Sequence, residues 1–463
     1  MKSLSPIGEF TGTLSRKRDE HKCCRVSLPT EMTATKNPSG KNVENDKRSN
    51  FLKRSLAILG PGLITGAADD DPSGISTYSV AGAAYGYATL WIALLTFPLM
   101  VAIQLMCARL GMVTGHGLAS AVRAHYPRWV LWGSCSILVV ANIINIGADL
   151  GGMAEATELI TGLRALVWIP FYALFIIGLL FWASYTRIAK IFKWLTLVLL
   201  AYVLASFFAH VDWKHALVVT FVPHLEWSRG FLAVLVAILG TTISPYLFFW
   251  QAAEEVEEEK AKGRTPGQSK GATTRELKTA RADTIAGMFF SNFIMYFIIL
   301  TTAATLHAHG QTDIATARQA AEALRPLAGN GAYFLFTLGL IGTGMLGVPV
   351  LVGSCAYAVT EAAVWRGSMS DKPNRARKFY AVMGVAMTLG LVLNYLGFNA
   401  VKMLFWSAVI NGILAPPLIL LVILLTSSQK VMGNRVNPAP LRYLGWATFL
   451  VMTAAAAGML IAS

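Results

Sequence analysis

The chain of 463 residues is 55% hydrophobic and only 14% charged, which excludes both an ordinary water-soluble domain and an intrinsically disordered chain. Its formal charge of +14 would suit nucleic acid, but the basic residues stand in short segments between long apolar runs. That pattern assigns them to a membrane surface, so a lipid bilayer is the expected partner and nucleic acid is not.

Residues 1–50 are polar, rich in Ser, Thr, Lys and Glu, and lack the apolar core of a signal peptide; they are predicted to form a disordered cytoplasmic tail, with Met1 and Met32 both open as starts. Residues 51–462 are the membrane domain. Eleven stretches have the length and apolarity of membrane spans, at 52–87 (interrupted), 89–111, 130–160, 167–184, 191–210, 231–250 (interrupted), 284–306, 333–364, 380–396, 403–426 and 444–461. With the amino terminus in the cytoplasm, the inner loops hold 21 Lys and Arg and the outer loops 6. This asymmetry is what the positive-inside rule requires, and an odd number of spans then puts the carboxyl terminus outside. Cys23 and Cys24 lie in the tail, and Cys107, Cys135 and Cys355 in spans, so no disulfide framework is expected.

Two spans carry helix breakers near their centres. The first reads Gly60-Pro61-Gly62 and then Asp69-Asp70-Asp71-Pro72-Ser73-Gly74; the sixth reads Gly240-Thr241-Thr242-Ile243-Ser244-Pro245-Tyr246. A carboxylate at bilayer depth costs roughly 2.5 kcal/mol or more. The adjacent proline leaves main-chain carbonyls without helical partners, so the first break is oxygen-rich and anionic, as a cation site must be. Spans one and six occupy equivalent positions if spans 1–5 and 6–10 are inverted repeats. Paired discontinuous helices of this kind hold substrate at the membrane midplane in secondary transporters.

These residues resemble the natural resistance-associated macrophage protein (NRAMP) family of divalent metal transporters. The likeness runs through Gly60-Pro61-Gly62, Asp71-Pro72, Tyr85-Gly86-Tyr87, Leu90-Trp91 and the segment from Ala108-Arg109-Leu110-Gly111 to Thr114-Gly115. It continues through Ala148-Asp149-Leu150, Asp283, Asn292, Leu306-His307 and Ala415-Pro416. The resemblance implies an all-α, LeuT-like inverted-repeat fold with a divalent cation held between spans one and six. In the family pattern the ligands are an Asp and Asn of span one, a main-chain carbonyl and Met of span six, and often a Gln of span ten. Here Asp71 matches the Asp and Thr241 the carbonyl position, but Gly74, Ser244 and Ala408 replace the Asn, Met and Gln. Loss of the thioether removes a ligand for soft ions, and an oxygen-only site lined by small residues suits Mg²⁺ carrying part of its water shell. The pattern is similar to the NRAMP-related magnesium transporter branch, so Mg²⁺, with Mn²⁺, is the expected cargo.

Asp69, Asp70 and Asp71 cannot all face one ion, because helical neighbours point about 100° apart; Asp70 stands as a candidate ligand and Asp69 as a candidate pathway group, against vestibule lining. Asn411, one turn after Ala408, is a candidate compensating amide. In proton-coupled members a His of span six and an Asp and Glu of span three carry protons; here these positions are Tyr246, Asp149 and Gly152. Weak or absent proton coupling is expected, with Asp149 acting alone or paired with a basic residue. Glu254, Glu255, Glu257, Glu258 and Glu259 read as a solvated helix extension rather than a cation exit, and His307 with His309 lacks a third ligand for an external zinc site. No phosphate-binding loop or hydrolase motif is present, so neither an ATP-driven pump nor an enzyme is expected, and no cofactor. A proton-coupled Mn²⁺/Fe²⁺ symporter and a non-transporting metal sensor remain the alternatives to a Mg²⁺ transporter of the plasma membrane.

Overall fold

Prolines set both interruptions of the bundle. Pro72 has no amide hydrogen to donate, and its ring pushes the residue before it out of the helical region. Asp71 accordingly adopts φ −70° and ψ 172°, separating the helices Pro61–Asp69 and Pro72–Tyr85. Span six breaks likewise into Arg229–Thr242 and Pro245–Ala261, with Ile243 at φ −118° and ψ 56°. The computed structural model describes residues 61–182, 197–261, 263 and 272–462. The expected tail, its two cysteines and Gly60 lie outside the described residues.

Helices are the only regular structure among the described residues. Nine are long and apolar enough to cross a membrane: Trp91–Thr114, Arg128–Thr161, Ala165–Trp182, Arg229–Ala261, Thr274–His309, Arg325–Ala362, Arg377–Leu396, Ala400–Ser427 and Ala439–Ile461. These are spans two, three, four, and six to eleven of the sequence reading. The broken helix pair at residues 61–85 is span one, and Leu197–Phe208 is the described part of span five, bent by 118° against Trp213–Phe221. Several helices run past the apolar windows. Span seven begins at Thr274, ten residues before its predicted start, because Thr273 and Glu276 form a reciprocal capping box in polar sequence that hydropathy does not register.

Small residues decide where the first span sits. Gly62 and Gly66, one helical turn apart, lie against the main chain of span seven, and a Cβ on Gly62 would fall 2.6 Å from the Thr284 backbone. A Cβ on Gly66 would collide with the Gly287 carbonyl. Close backbone approach at a small-xxx-small pair is how membrane helices associate when hydrophobic exclusion gives no preference between helix and lipid. The Gly62 amide is further tied to Asp283 Oδ2 at 2.7 Å. Asn292 then fastens span seven to span two, donating to the Ala93 carbonyl at 2.6 Å and accepting from Thr96 Oγ1 at 2.9 Å. The first half of span six approaches span ten equally closely, with Gly240 and Gly412 facing each other across backbone contacts. Cys107, Cys135 and Cys355 are free and buried within this packing.

Candidate functional site

Asp71 is the cap of the second half of span one. Its Oδ1 accepts the Gly74 amide at 2.8 Å, the usual N-cap arrangement, with Pro72 at the first helical position where a missing N–H costs nothing. The other oxygen, Oδ2, accepts from Asn145 Nδ2 and from the Tyr246 hydroxyl, both at 3.3 Å. That distance lies beyond the usual range for such bonds, and both donors are neutral. One carboxylate oxygen is therefore committed to the fold and the other is held loosely. Asp71 is 1% exposed, and no basic side chain pairs with it among the described residues.

Span six contributes from across the gap. Ser244 Oγ lies 2.8 Å from the Gly240 carbonyl and 2.7 Å from that of Thr241, so its hydroxyl caps main-chain oxygens that Pro245 leaves unpaired. The Thr241 carbonyl thus already accepts one hydrogen bond and keeps one lone pair. The space left by Gly74 is not open: a Cβ there would stand 3.2 Å from Thr241 Oγ1 and 3.4 Å from the Tyr78 ring. The two breaks are in contact, and Thr241 and Ser244 are as deeply buried as Asp71. Tyr246 bridges them, donating to the Ala68 carbonyl at 3.2 Å as well as to Asp71. On span ten, Ala408 packs against Gly240. Asn411 is buried one turn further on.

The three consecutive acids diverge. Asp69 Oδ2 and Asp70 Oδ1 both accept from Ser291 Oγ of span seven, at 2.6 and 3.1 Å, whereas the side-chain contacts of Asp71 are to spans three and six. Their remaining oxygens, Asp69 Oδ1 and Asp70 Oδ2, are buried without a hydrogen-bond partner among the described residues. Asp149 does turn toward Asp71. Both side chains border Gly347 of span eight, where an added Cβ would lie 3.0 Å from Asp71 Cβ and 3.9 Å from Asp149 Oδ2. Neither oxygen of Asp149 has a hydrogen-bond partner, so the reading that pairs it with a basic residue does not hold among the described residues.

Several residues at the site were not singled out in the sequence. Asn145 stands one helical turn before Asp149 and Asn142 a further turn back, a polar stripe on one face of span three that the 3.6-residue period would have shown. Asn142 donates to the Leu351 carbonyl at 2.9 Å and joins span three to span eight. Ser291 carried no sequence signal at all. Beyond the breaks, Thr65 Oγ1 meets Gln251 Oε1 at 2.7 Å, and Gln251 Nε2 donates to Glu255 at 3.0 Å, which links the first half of span one to the second half of span six. Glu255 and Glu259 are each 2% exposed, so the glutamate run is not the solvated extension expected. The helix continues inside the bundle, and only part of the run faces outward, with Glu257 paired to Lys260 at 2.7 Å. His307 and His309 bond main-chain carbonyls of Ala83 and Thr305. No group of three or more His, Cys, Asp or Glu is set to hold a metal ion among the described residues.

The chain is similar along most of its length to known membrane transporters. It is 28% identical over 430 residues to the divalent metal cation transporter MntH of Klebsiella pneumoniae, covering 91% of this chain and 98% of that one. Its fold superposes on the manganese transporter of Eremococcus coleocola with a TM-score of 0.69 at 18% identity, covering 91% of this chain and 87% of that one. It also superposes on Mhp1, a nucleobase-cation-symport-1 family transporter, with a TM-score of 0.51 at 16% identity over 87% and 92% of the two chains. The architecture is thus the LeuT-like inverted repeat, with the broken helices at equivalent positions of the two halves. The family model of the natural resistance-associated macrophage protein-like proteins matches residues 62–462, and the chain belongs to that family.

Proposed function

We propose that this protein is a secondary transporter or facilitator of divalent metal cations across the plasma membrane, carrying Mg²⁺, and also Mn²⁺, as partly hydrated ions with weak or no proton coupling. The names of the relatives support a divalent cation as cargo. One observation carries the finer reading: a buried carboxylate at the meeting of two helix breaks, with Asp71 Oδ2 held only by two long bonds to neutral donors and facing an all-oxygen span six. A cation exchanges readily for such donors. Without a thioether, the oxygens offered by Asp71, the Thr241 carbonyl, Ser244 and Asn411 suit a hard ion. Gly74 stands against Thr241, so an ion that keeps water requires the two breaks to part. Asp70 and Asp69, turned to Ser291, then act on the approach of the ion rather than as its ligands.

Proton-coupled Mn²⁺ symport is the second reading, and Asp149 favours it. A buried carboxylate beside Asp71, without a hydrogen-bond partner among the described residues, is able to bind a proton on the side where the ion enters and release it on the side where the ion leaves. Flux into proteoliposomes separates the two readings when Mg²⁺, Mn²⁺, Ca²⁺ and Cd²⁺ are compared while lumenal pH is recorded. Mg²⁺ uptake without acidification is the expected result. Exclusion of Mg²⁺ together with acidification that tracks Mn²⁺ would replace the first reading with the second.

A further inference from the structure

We propose that a basic cavity on the face carrying the positively charged loops binds a phosphate oxyanion, carried by an anionic phospholipid headgroup or free in solution. The cavity has a volume of about 510 Å³ and lies between the loop after span two, the short helix Leu118–His125 and the connection from span ten to span eleven. His116, Arg123, His125, Lys430 and Arg435 line it, and no Asp or Glu does among the described residues.

Among the described residues, the hydrogen bonds of Arg435, Arg109 and Arg123 go to neutral acceptors. Arg435 Nη1 donates to Thr274 Oγ1 at 3.1 Å, a neutral acceptor. Arg109, behind it, donates to Asn437 Oδ1 at 2.9 Å and to the Arg435 carbonyl at 2.8 Å, again neutral. Arg123 donates to the main-chain carbonyl of Glu361 at 2.6 Å. The Glu361 carboxylate accepts the Ser120 amide at 3.0 Å and offsets part of the Arg123 charge, which leaves Lys430 and Arg435 as the charged groups of the wall without a nearby acid among the described residues. Lys430 is exposed. Like charges gathered around a concavity stabilise an anion placed within it, and guanidinium with ammonium donors match the tetrahedral oxygens of a phosphate.

The surroundings set the depth of the cavity in the membrane. Its walls lead directly into the first turns of spans three and eleven, which present Trp129 and Tyr443 outward at 77% and 69% exposure. Aromatic side chains at span ends lie at the level of the lipid headgroups, and basic pockets between spans at this level take anionic headgroups.

The test measures thermal unfolding of the full chain in a neutral detergent, titrated with phosphatidylglycerol, phosphatidylcholine or inorganic phosphate. Wild type is compared with Lys430→Glu and with His125→Gln/Lys430→Gln. Both variants change exposed positions away from the metal site, and metal flux in neutral lipid checks that they fold. Stabilisation of wild type by phosphatidylglycerol and not phosphatidylcholine, with apparent affinity lowered about tenfold or more in Lys430→Glu, supports a lipid headgroup. Stabilisation by inorganic phosphate that competes with the lipid and is lost in the same variants supports the same site with a free anion. An equal response of wild type and both variants to every additive overturns the proposal.

Discussion

Replacing Ser244 by Met restores the soft ligand that other members of the family carry, and the structure sets what this does. The hydroxyl bonds two carbonyls, at 2.8 and 2.7 Å, so its loss costs about 1 kcal/mol of local stability. The longer side chain enters a position only 1% exposed, and overpacking there costs a further ~1–3 kcal/mol. Against this, a thioether now faces Asp71 and raises affinity for Cd²⁺ while offering Mg²⁺ nothing. A single favourable ligand shifts selectivity by about tenfold, or ~1.4 kcal/mol. The control is Ser244→Ala, which frees the same carbonyls without adding sulfur. Competition between Cd²⁺ and Mg²⁺ in a flux assay reads the difference: Ser244→Met gains Cd²⁺ transport relative to Mg²⁺, and Ser244→Ala does not. A folded Ser244→Met protein with an unchanged ratio would refute the argument that this position selects against soft ions.

Other substitutions test separate parts of the account. Asp149→Asn is expected to leave Mg²⁺ uptake and the lumenal pH trace unaltered; loss of a metal-dependent pH change would instead make Asp149 the coupling group. Gly66→Leu drives a side chain into the Gly287 backbone, and a fall in melting temperature with little folded protein in detergent is expected, the cost exceeding ~3 kcal/mol. Asn292→Ala removes two bonds between spans two and seven and lowers stability by about 1 kcal/mol, measured by thermal unfolding, with ion selectivity unchanged.

The broken spans were legible in the sequence because proline acts locally: Pro72 and Pro245 dictate where the helices part whatever surrounds them. The place of Asp71 at the break was legible for the same reason, since it directly precedes Pro72. What the sequence did not display is set by helices distant along the chain. Ser291 holds Asp69 and Asp70 from span seven, and nothing at that position distinguishes it from any other serine of a membrane helix. Asn145 was in plain view one turn before Asp149, but its bond to Asp71 depends on how span three packs against span one. Glu255 and Glu259 misled because charge runs usually face water; here the helix of span six stays in the bundle past its apolar portion, and a hydropathy window cannot distinguish the two cases. Small residues at the site, Gly74 among them, suggested room for a hydrated ion, whereas Thr241 and Tyr78 stand against the space at Gly74.

The central claim is that Asp71 is the carboxylate through which a divalent ion passes. Mg²⁺ uptake by proteoliposomes carrying Asp71→Ala, set against wild type at matched protein density and with thermal unfolding as a fold control, tests it directly. Uptake is expected to fall to the level of empty liposomes in a folded variant. Uptake equal to wild type would contradict it.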